Sequence, residues 1–435
     1  MPEYIPLLYF GLVFILILAG FPVAFTLGGT AVIFGYLFLD PTVFSFLPSR
    51  VMGIMENYIL LAVPLFIFMG IMLEKSGLAE SMLETMGRLF GRMRGGLAIS
   101  VIIVGALLAA STGIVGATVI TMGLISLPTM LKRGYHPGIA SGTIAASGTL
   151  GQIIPPSIVL VLLGSQLNVS VGDLFKAALV PGLILVGGYM LFIIIYSFIR
   201  PERVPAMPQD PEAPKQSLGQ VLTAFFLPLL LIVSVLGSIF AGIASPTEAA
   251  ALGAFGASLL TIGKGLNEKA LTWKVFEDVM RETTKITSMV FMILVGATTF
   301  SLVFRLLGGE EYLVSLIEGA ELSPMAFLFV VMLIVFVAGF FIDFIEIIFI
   351  IVPVVAPIFV RFDMDLIWVG ILIALNLQTS FLSPPFGFSL FYLKGVAPPE
   401  LTTGHLYRGI IPFVAIQLLF LLAVILFPEL LMIEG

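Results

Sequence analysis

The sequence predicts an all-α polytopic membrane protein built from two inverted repeats, and three observations predict this class. First, 59% of the 435 residues are hydrophobic and only 11% are charged, with a mean hydropathy of +1.17, as expected for a chain whose solvent is lipid. Second, a Pro-Pro pair interrupts an apolar segment in each half, as SGTLGQIIPPS at 147–157 and QTSFLSPPF at 378–386. Third, one Pro-rich polar segment, 201–220, divides the chain near its middle.

Apolar windows predict eight uninterrupted membrane spans, near residues 4–20, 25–39, 58–73, 175–199, 221–240, 249–262, 288–307 and 407–427. Two further spans contain the Pro-Pro pairs and are predicted as broken helices over 138–167 and 366–393. The segments 97–130 and 325–360 are too long for one span and are interrupted midway, which is typical of a re-entrant helical hairpin. We therefore expect about ten crossings plus two re-entrant hairpins.

The two halves show the same predicted order of elements: three spans, an amphipathic arm, a hairpin, a broken helix and a final span. The first repeat comprises residues 1–200 with its arm at 78–94, and the second comprises 221–435 with its arm at 310–321. Residues 201–220 join them as a cytoplasmic linker. Because each half has an odd number of crossings, the second half is predicted to be inverted relative to the first.

The basic residues predict the orientation of the chain. If both termini lie outside, the only Lys and Arg residues left outside are Arg50, Lys176, Arg305 and Arg361, out of 20 in total. The others then lie in the cytoplasm, as the positive-inside rule requires for short loops. The N-terminal MPEYIPLLYF contains an acid and no basic residue, so we interpret it as the first span rather than as a signal peptide.

Several classes of chemistry are excluded by composition. The chain has no Cys, which excludes disulfides and Cys nucleophiles, and its two histidines, His136 and His405, lie far apart in sequence. No G-x-x-x-x-G-K-[ST] run occurs, so no built-in ATPase is indicated. A membrane enzyme would depend on Asp343 and Glu346 alone, which is a weak basis for catalysis. A passive channel would not need paired broken helices.

The Pro-Pro breaks predict a binding site at membrane depth. Each pair removes two helical donors and leaves backbone N–H and C=O groups without partners, which is costly in lipid unless these groups bind something. Paired broken helices in two halves are typical of secondary transporters with a midplane substrate and ion site. In the second half, Asn376, Thr379 and Ser380 precede the prolines and offer side-chain oxygens to an ion.

The first hairpin turn places Ser111, Thr112 and Gly113 between two short apolar arms. Hydroxyls and unwound carbonyls can replace the hydration shell of Na⁺, and the N-termini of half-helices favour a carboxylate. An alternative stays open, in which Ser111 and Thr112 only bond the preceding turn or allow close helix packing.

The second hairpin contains two acids, Asp343 and Glu346, within AGFFIDFIEIIFIIVP and on one predicted helical face. Carboxylates at this depth cost at least about 2.5 kcal/mol each unless they face a cavity or a partner, so both are candidate site residues. Two alternatives stay open for these acids, a buried structural network with a neighbouring helix and a lipid-facing interface site. Glu248 follows Ser245 by the spacing of a capping box and is interpreted as a helix cap.

Five segments resemble, in sequence and in order, the large membrane subunit of the tripartite ATP-independent periplasmic (TRAP) transporters. They are RGGLAISVIIVGALLAASTGIVGATV, GYHPGIASGTIAASGTLGQIIPPSIVLVLLG, SVGDLFKAALVPG, GIASPTEAAALGA and LSPPFGFSLFYLKGVAP. The resemblance runs over nearly the whole chain. Within the family, FIDFIEIIFI is similar to the branch labelled mannitol, chloroaromatic or 2-oxo acid transporters.

The resemblance implies sodium-coupled secondary uptake of an organic acid by an elevator motion, in the cytoplasmic (inner) membrane of a bacterium or archaeon. It implies two protein partners, a periplasmic substrate-binding protein and a small four-helix membrane subunit on a separate chain, besides membrane lipid. Na⁺ is the expected coupling ion, and no ATP, organic cofactor, transition metal or nucleic acid is expected. The alternative is a proton-coupled carboxylate or anion transporter of similar architecture, with Asp343 or Glu346 as the proton carrier.

Carried onto this sequence, the resemblance implies two sodium sites with the substrate between the two hairpin turns. The first sodium site would use Ser111, Thr112, Gly113, Gly148 and Thr149. The second would use Asp343, Asn376 and Thr379, although an acid at this turn departs from the hydroxyl-rich turn of related symporters. The expected substrate-binding residues are Ser111, Thr112, Ser147, Gly151, Asp343, Glu346, Ser380 and Ser383.

Overall fold

The computed structural model describes residues 4–206, 219, 222–268 and 273–431, and this part of the chain contains helices and no strand. In the first half the α-helices are α1 (Ile5–Leu18), α2 (Val23–Phe38), α3 (Leu47–Met55), α4 (Ala62–Lys75), α5 (Leu78–Phe90), α6 (Gly96–Thr112), α7 (Val115–Lys132), α8 (Pro137–Thr149), α9 (Ile158–Leu167) and α10 (Val171–Ile199). In the second half they are α11 (Leu227–Phe240), α12 (Pro246–Glu268), α13 (Trp273–Leu306), α14 (Gly309–Gly319), α15 (Pro324–Ala338), α16 (Phe344–Ile350), α17 (Val352–Arg361), α18 (Leu366–Leu382), α19 (Phe388–Val396) and α20 (Thr403–Leu426). Most of the predicted linker, residues 207–218 and 220, lies outside the described residues.

Several helices are suited to a membrane. By length and composition, five helices in the described ranges are each able to cross a membrane: Tyr58–Lys75, Val115–Lys132, Val171–Ile199, Trp273–Leu306 and Thr403–Leu426. The pair α16 and α17, bent by 50° at their junction, is a sixth candidate. Other apolar helices are shorter, with 10–17 residues. The helical, apolar class predicted from composition is confirmed, whereas the ten crossings and the inverted repeat stay predictions.

Both Pro-Pro pairs interrupt a helix. In the first half, α8 ends at Thr149, a 3-10 turn follows over Leu150–Gln152, and α9 begins only after the prolines. In the second half, α18 ends just before its prolines and α19 begins after them. Proline has no N–H to continue the helical ladder, so the carbonyls four residues before each proline need other donors. The Gln152 carbonyl accepts from the Ser157 hydroxyl at 2.9 Å, and the Phe381 carbonyl accepts from the Ser389 hydroxyl at 2.8 Å.

Two turns connect the helices that were predicted as hairpins. Gly113 and Ile114 join α6 to α7, which pack against each other. Gly113 has a φ of 60°, in the left-handed region that favours glycine, and its N–H donates to the Ala109 carbonyl at 2.9 Å. The second turn, residues 339–343, joins α15 to α16.

The hairpin helices and the broken helices of the two halves pack reciprocally. Helix α7 packs on α19, the second segment of one broken helix, whereas α16 and α17 pack on α9, the second segment of the other. In addition, α6 lies against α8, and α15 lies against α18. Each hairpin therefore contacts both broken helices.

Glycines allow the closest crossing between the halves, where α8 of the first meets α20 of the second. A Cβ atom on Gly142 would lie 2.6 Å from the carbonyl carbon of Gly409, and one on Gly409 would lie 2.6 Å from the carbonyl carbon of Gly138. No side chain fits at such distances, so the two backbones pack directly on each other.

A second group of helices lies beside the hairpins. Helix α2 packs along α13, where a Cβ on Gly296 would lie 2.5 Å from the Ala24 carbonyl oxygen, and α4 packs against α12 and α13. Helix α4 also contacts the first hairpin, because the Thr121 hydroxyl of α7 donates to Glu74 Oε1 of α4 at 2.6 Å. At the start of α12, the predicted capping box is confirmed, since Glu248 Oε2 accepts from the Ser245 N–H at 2.8 Å.

Candidate functional site

The first hairpin turn lies directly against the first helix break. A Cβ on Gly151, in the break, would lie 2.7 Å from the carbonyl carbon of Ala109, near the end of α6. A Cβ on Gly113 would lie 3.1 Å from the backbone nitrogen of Ile158, where α9 begins. The non-helical backbone of the break, the N-terminus of α9 and the hairpin turn thus meet at one place.

Two more predicted residues lie beside the first hairpin, Ser147 of the substrate set and Gly148 of the first sodium site. Ser147 of α8 lies against α6, since a Cβ on Gly105 would be 2.6 Å from Ser147 Oγ. Gly148 lies against α7, where its Cβ would be 3.3 Å from the backbone nitrogen of Val119. The structure therefore places these two residues against the two arms of the first hairpin.

The hydroxyl groups at this junction are buried and oriented. Ser111 Oγ donates to the Leu108 carbonyl at 2.8 Å, and Thr149 Oγ1 donates to the Ala146 carbonyl at 2.9 Å. The hydroxyls of Thr112 and Thr118 lie 2.8 Å apart, across the hairpin turn. Ser111 and Thr149 thus bond the preceding turn, as in the structural alternative, but each oxygen keeps lone pairs that a cation can use.

The second hairpin turn holds its two acids differently from the prediction. Asp343 has an extended ψ of 157° and is the N-cap of α16, and its N–H donates to Glu346 Oε2 at 3.3 Å in a capping box. The expectation that Asp343 and Glu346 share one helical face is therefore wrong, because Asp343 precedes the first helical residue. Both side chains are half-buried at the turn, so their oxygens can reach a bound ion or solute.

The remaining predicted residues lie on α18 or, for Ser383, at its C-cap, and all are buried. Asn376 Nδ2 donates to the Met332 carbonyl of α15 at 2.6 Å, which fixes α18 to the second hairpin. Thr379, Ser380 and Ser383 each donate to a carbonyl within three or four residues of their own helix. None of the described hydrogen bonds joins Asp343 to Asn376 or Thr379, so the second sodium site stays a prediction.

Tyr392 of α19 is a site residue that the sequence did not indicate. A Cβ on Gly116, just after the first hairpin turn, would lie 2.9 Å from Cζ of Tyr392. The same side chain interacts electrostatically with Asp343 and Glu346 of the second turn. Tyr392 thus lies between the two hairpins, and only the packing of α7 on α19 reveals this position.

Comparison with known proteins identifies the family. Residues 10–430 match the family described as "Tripartite ATP-independent periplasmic transporter, DctM component". The chain belongs to this family. It is 34% identical to the C4-dicarboxylate TRAP transporter large permease protein DctM of Pseudomonas aeruginosa, over 86% of this chain and 85% of the relative. It is 33% identical to the protein of the same name from Vibrio cholerae, over 97% of this chain and 95% of the relative.

A solved structure shares the fold of this TRAP permease. The YdaH transporter of Alcanivorax borkumensis, described as having an unusual topology, covers 98% of this chain and 99% of its own with a TM-score of 0.65. The sequence identity is 15%, so this likeness concerns the fold alone. The family predicted from the five motifs is confirmed, and the chain is a multi-pass membrane protein of a transport system.

Two glutamines of this TRAP permease were also missed by sequence reasoning. Gln152 ends the 3-10 turn of the first break, and Gln378 lies on α18; both side chains are completely buried. Neither amide has a hydrogen-bond partner within the ranges that the structure describes. Their position next to the Pro-Pro pairs was the available signal, because a polar residue in an apolar, broken helix needs a partner.

The opposite end of α8 has a titratable cap. His136 Nδ1 accepts a hydrogen bond from the Gly138 N–H at 3.1 Å, and the His405 ring lies 6.1 Å away between centroids. Burial, and then the positive charge of Arg203, lower the pKa of His136. The backbone N–H of His136 donates to the Arg203 carbonyl at 2.9 Å, so the first residues of the predicted linker lie against this end of α8.

Proposed function

We propose that this TRAP permease carries out sodium-coupled secondary uptake of an organic acid across the inner membrane by an elevator mechanism. The observation that carries the proposal is the junction of the first hairpin turn with the first helix break. There, the hydroxyls of Ser111 and Thr112, the last carbonyls of α8 and the N-terminus of α9 lie together.

This junction suits a cation and an anion at once. Neutral hydroxyl and carbonyl oxygens supply the several ligands that a dehydrated Na⁺ requires. The N–H groups at the start of α9 provide a partial positive charge for a carboxylate. Binding of both at one place would make solute affinity depend on sodium, and a coupling of about 1–3 kcal/mol corresponds to a 5- to 150-fold change in affinity.

Two packed groups of helices support the proposed elevator motion. The hairpins and broken helices form one group, and α2, α4, α12 and α13 form the other. Helices α5 and α14 precede the two hairpins and would frame the moving group at opposite membrane interfaces. In this proposal both termini lie outside, and the site moves across the membrane within the hairpin group.

The solute and partners are proposed from the family. Relatives named C4-dicarboxylate transporters support an organic acid as the solute. A periplasmic binding protein would deliver the solute, and a small four-helix membrane subunit on a separate chain would complete the complex. This function requires no catalytic residue and no ATP, because the sodium gradient supplies the free energy.

A proton-coupled transporter is the second candidate. Asp343 and Glu346 lie together at the second hairpin turn, within electrostatic reach of Tyr392. A carboxylate at a moving turn can carry a proton across the membrane in place of a sodium ion. This candidate predicts uptake that depends on pH and not on sodium.

Thermal unfolding of the purified complex in detergent distinguishes the two candidates. The midpoint would be titrated with NaCl, KCl and choline chloride at fixed ionic strength, because an ion that binds only the native state stabilises it by about 2.7 kcal/mol at 100 times its dissociation constant. We expect a rise that is specific for sodium and smaller in Ser111→Ala. Thr129→Val, on the exposed end of α7, is the control and keeps the full rise. Equal midpoints in all salts, with a pH response that Asp343→Asn removes, would favour proton coupling.

A further inference from the structure

Two buried amides lie where the broken helices meet. The turn that contains Gln152 packs against α18, which carries Gln378. Both side chains are 0% exposed, and the nitrogen and oxygen of each amide lack hydrogen-bond partners among the described residues. Gln152 also follows Gly151, whose backbone touches the first hairpin, so its amide starts beside the predicted solute position.

Such amides are unfavourable unless a ligand completes their hydrogen bonds. A buried polar group without a hydrogen-bond partner lowers the equilibrium constant for folding by a factor of about 5 to more than 100. The neighbouring side chains Ile153 and Leu377 are apolar and equally buried. A leucine of similar size would therefore fit the environment of either glutamine without this cost.

The chemistry of the amide group indicates what the ligand must offer. Each primary amide has two N–H donors and one carbonyl acceptor. A sodium ion would use only the carbonyl, and a simple carboxylate would use only the N–H groups. A solute that carries acceptors and donors together satisfies both parts of the amide by itself.

We propose that Gln152 and Gln378 bind the solute directly, and that this solute is a small carboxylate that also bears a hydroxyl or amino group. The proposal rests on the proposed uptake of an organic acid and names its chemical class. The solute carboxylate accepts hydrogen bonds from the amide N–H groups, and its hydroxyl or amino group donates to the amide carbonyls.

Stability without solute provides the first test. The variants Gln152→Leu and Gln378→Leu remove an unpartnered amide, so the unfolding midpoint of the purified complex should stay the same or rise. Gln417→Leu is the matched control, because Gln417 is also buried and its amide also lacks a partner among the described residues, but it lies beside Tyr189, away from the breaks. This control variant should likewise keep or raise the midpoint.

Paired solutes provide the second test. Succinate and malate differ by one hydroxyl group, as do propionate and lactate. In the wild-type complex we expect malate to raise the unfolding midpoint at a concentration about tenfold lower than succinate. We expect the same difference between lactate and propionate. This difference should disappear in Gln152→Leu and in Gln378→Leu and should persist in Gln417→Leu.

Two results would overturn the proposal. One is a loss of stability in both Gln152→Leu and Gln378→Leu while Gln417→Leu keeps the wild-type midpoint, since the two amides would then be satisfied within the protein. The other is an equal response of the wild type to both members of each pair. The proposed sodium coupling is tested separately, by comparing the unfolding midpoint of the wild type in NaCl and in KCl. If sodium had no effect on the midpoint, the glutamine variants would still decide whether the amides bind the solute.

Discussion

Replacement of Gly151 by alanine tests whether the contact between hairpin and break forms the ion site. A Cβ on Gly151 would lie 2.7 Å from the Ala109 carbonyl carbon, and few real Cβ atoms approach closer than 3.4 Å. The break and α6 must therefore separate by more than about 0.7 Å, the difference between these two distances, because the Ala109 carbonyl oxygen lies closer still. Both partners are backbone atoms in a buried region, so no flexible side chain can absorb the change.

The separation affects stability and binding differently. Overpacking of this kind costs about 1–3 kcal/mol in the free energy of unfolding. Groups that bind one ligand together must stay within about 0.5 Å of the geometry that binds it. We therefore expect the apparent affinity for sodium to fall at least about tenfold. The effect on sodium should thus exceed what the loss of stability alone explains.

The assay is the sodium dependence of the unfolding midpoint, followed by sodium-driven uptake in proteoliposomes. Gly187→Ala on α10 is the control, since no atom lies within 4 Å of its Cβ position and a helical alanine is favoured over glycine. If Gly151→Ala kept the wild-type affinity for sodium, as the control Gly187→Ala should, the contact between hairpin and break would not form the ion site.

Three further predictions concern other side chains of the permease. Asn376→Leu removes the bond to the Met332 carbonyl and should destabilise the protein by about 1–3 kcal/mol in unfolding experiments; unchanged stability would show that this bond does not hold α18. The lowered pKa of His136 means that the native state binds a proton less readily than the unfolded state. Stability should therefore be full above the ordinary histidine value of about 6.5 and fall as the pH drops through the lowered value; His136→Asn keeps a capping acceptor and should flatten the unfolding midpoint between pH 7 and 5. Thr121→Val removes the bond to Glu74 and should change the uptake rate more than the KM for sodium, whereas Thr121→Ser keeps the bond and should behave as the wild type.

Local chemistry explains which parts of the fold the sequence could predict. A Pro-Pro pair ends a helix wherever it stands, so both breaks were predicted close to where α8 and α18 end. Gly113 allows the left-handed turn between α6 and α7, and the turn was placed correctly. The Ser245 and Glu248 cap depends only on residues three positions apart.

The parts that were missed depend on distant contacts or on where the backbone turns. Tyr392 meets Gly116 only because α19 packs on α7, and no pattern within either segment indicates this. The Thr121 bond to Glu74 likewise joins two separate helices. Asp343 was placed on a helical face because FIDFIEIIFI is uniformly apolar around its acids, so periodicity gave no sign that the helix begins one residue later.

The glycine crossing of α8 and α20 has a consequence for biosynthesis. Its two members are separated by more than half of the chain, so α8 leaves the ribosome and enters the membrane long before α20 exists. Until then, the backbone face at Gly138 and Gly142 faces lipid or a temporary neighbour, and the broken helix lacks the surface against which it packs. Insertion of the spans and assembly of the core are therefore separate events, and a nascent chain arrested before α20 should be integrated into the membrane yet remain sensitive to protease.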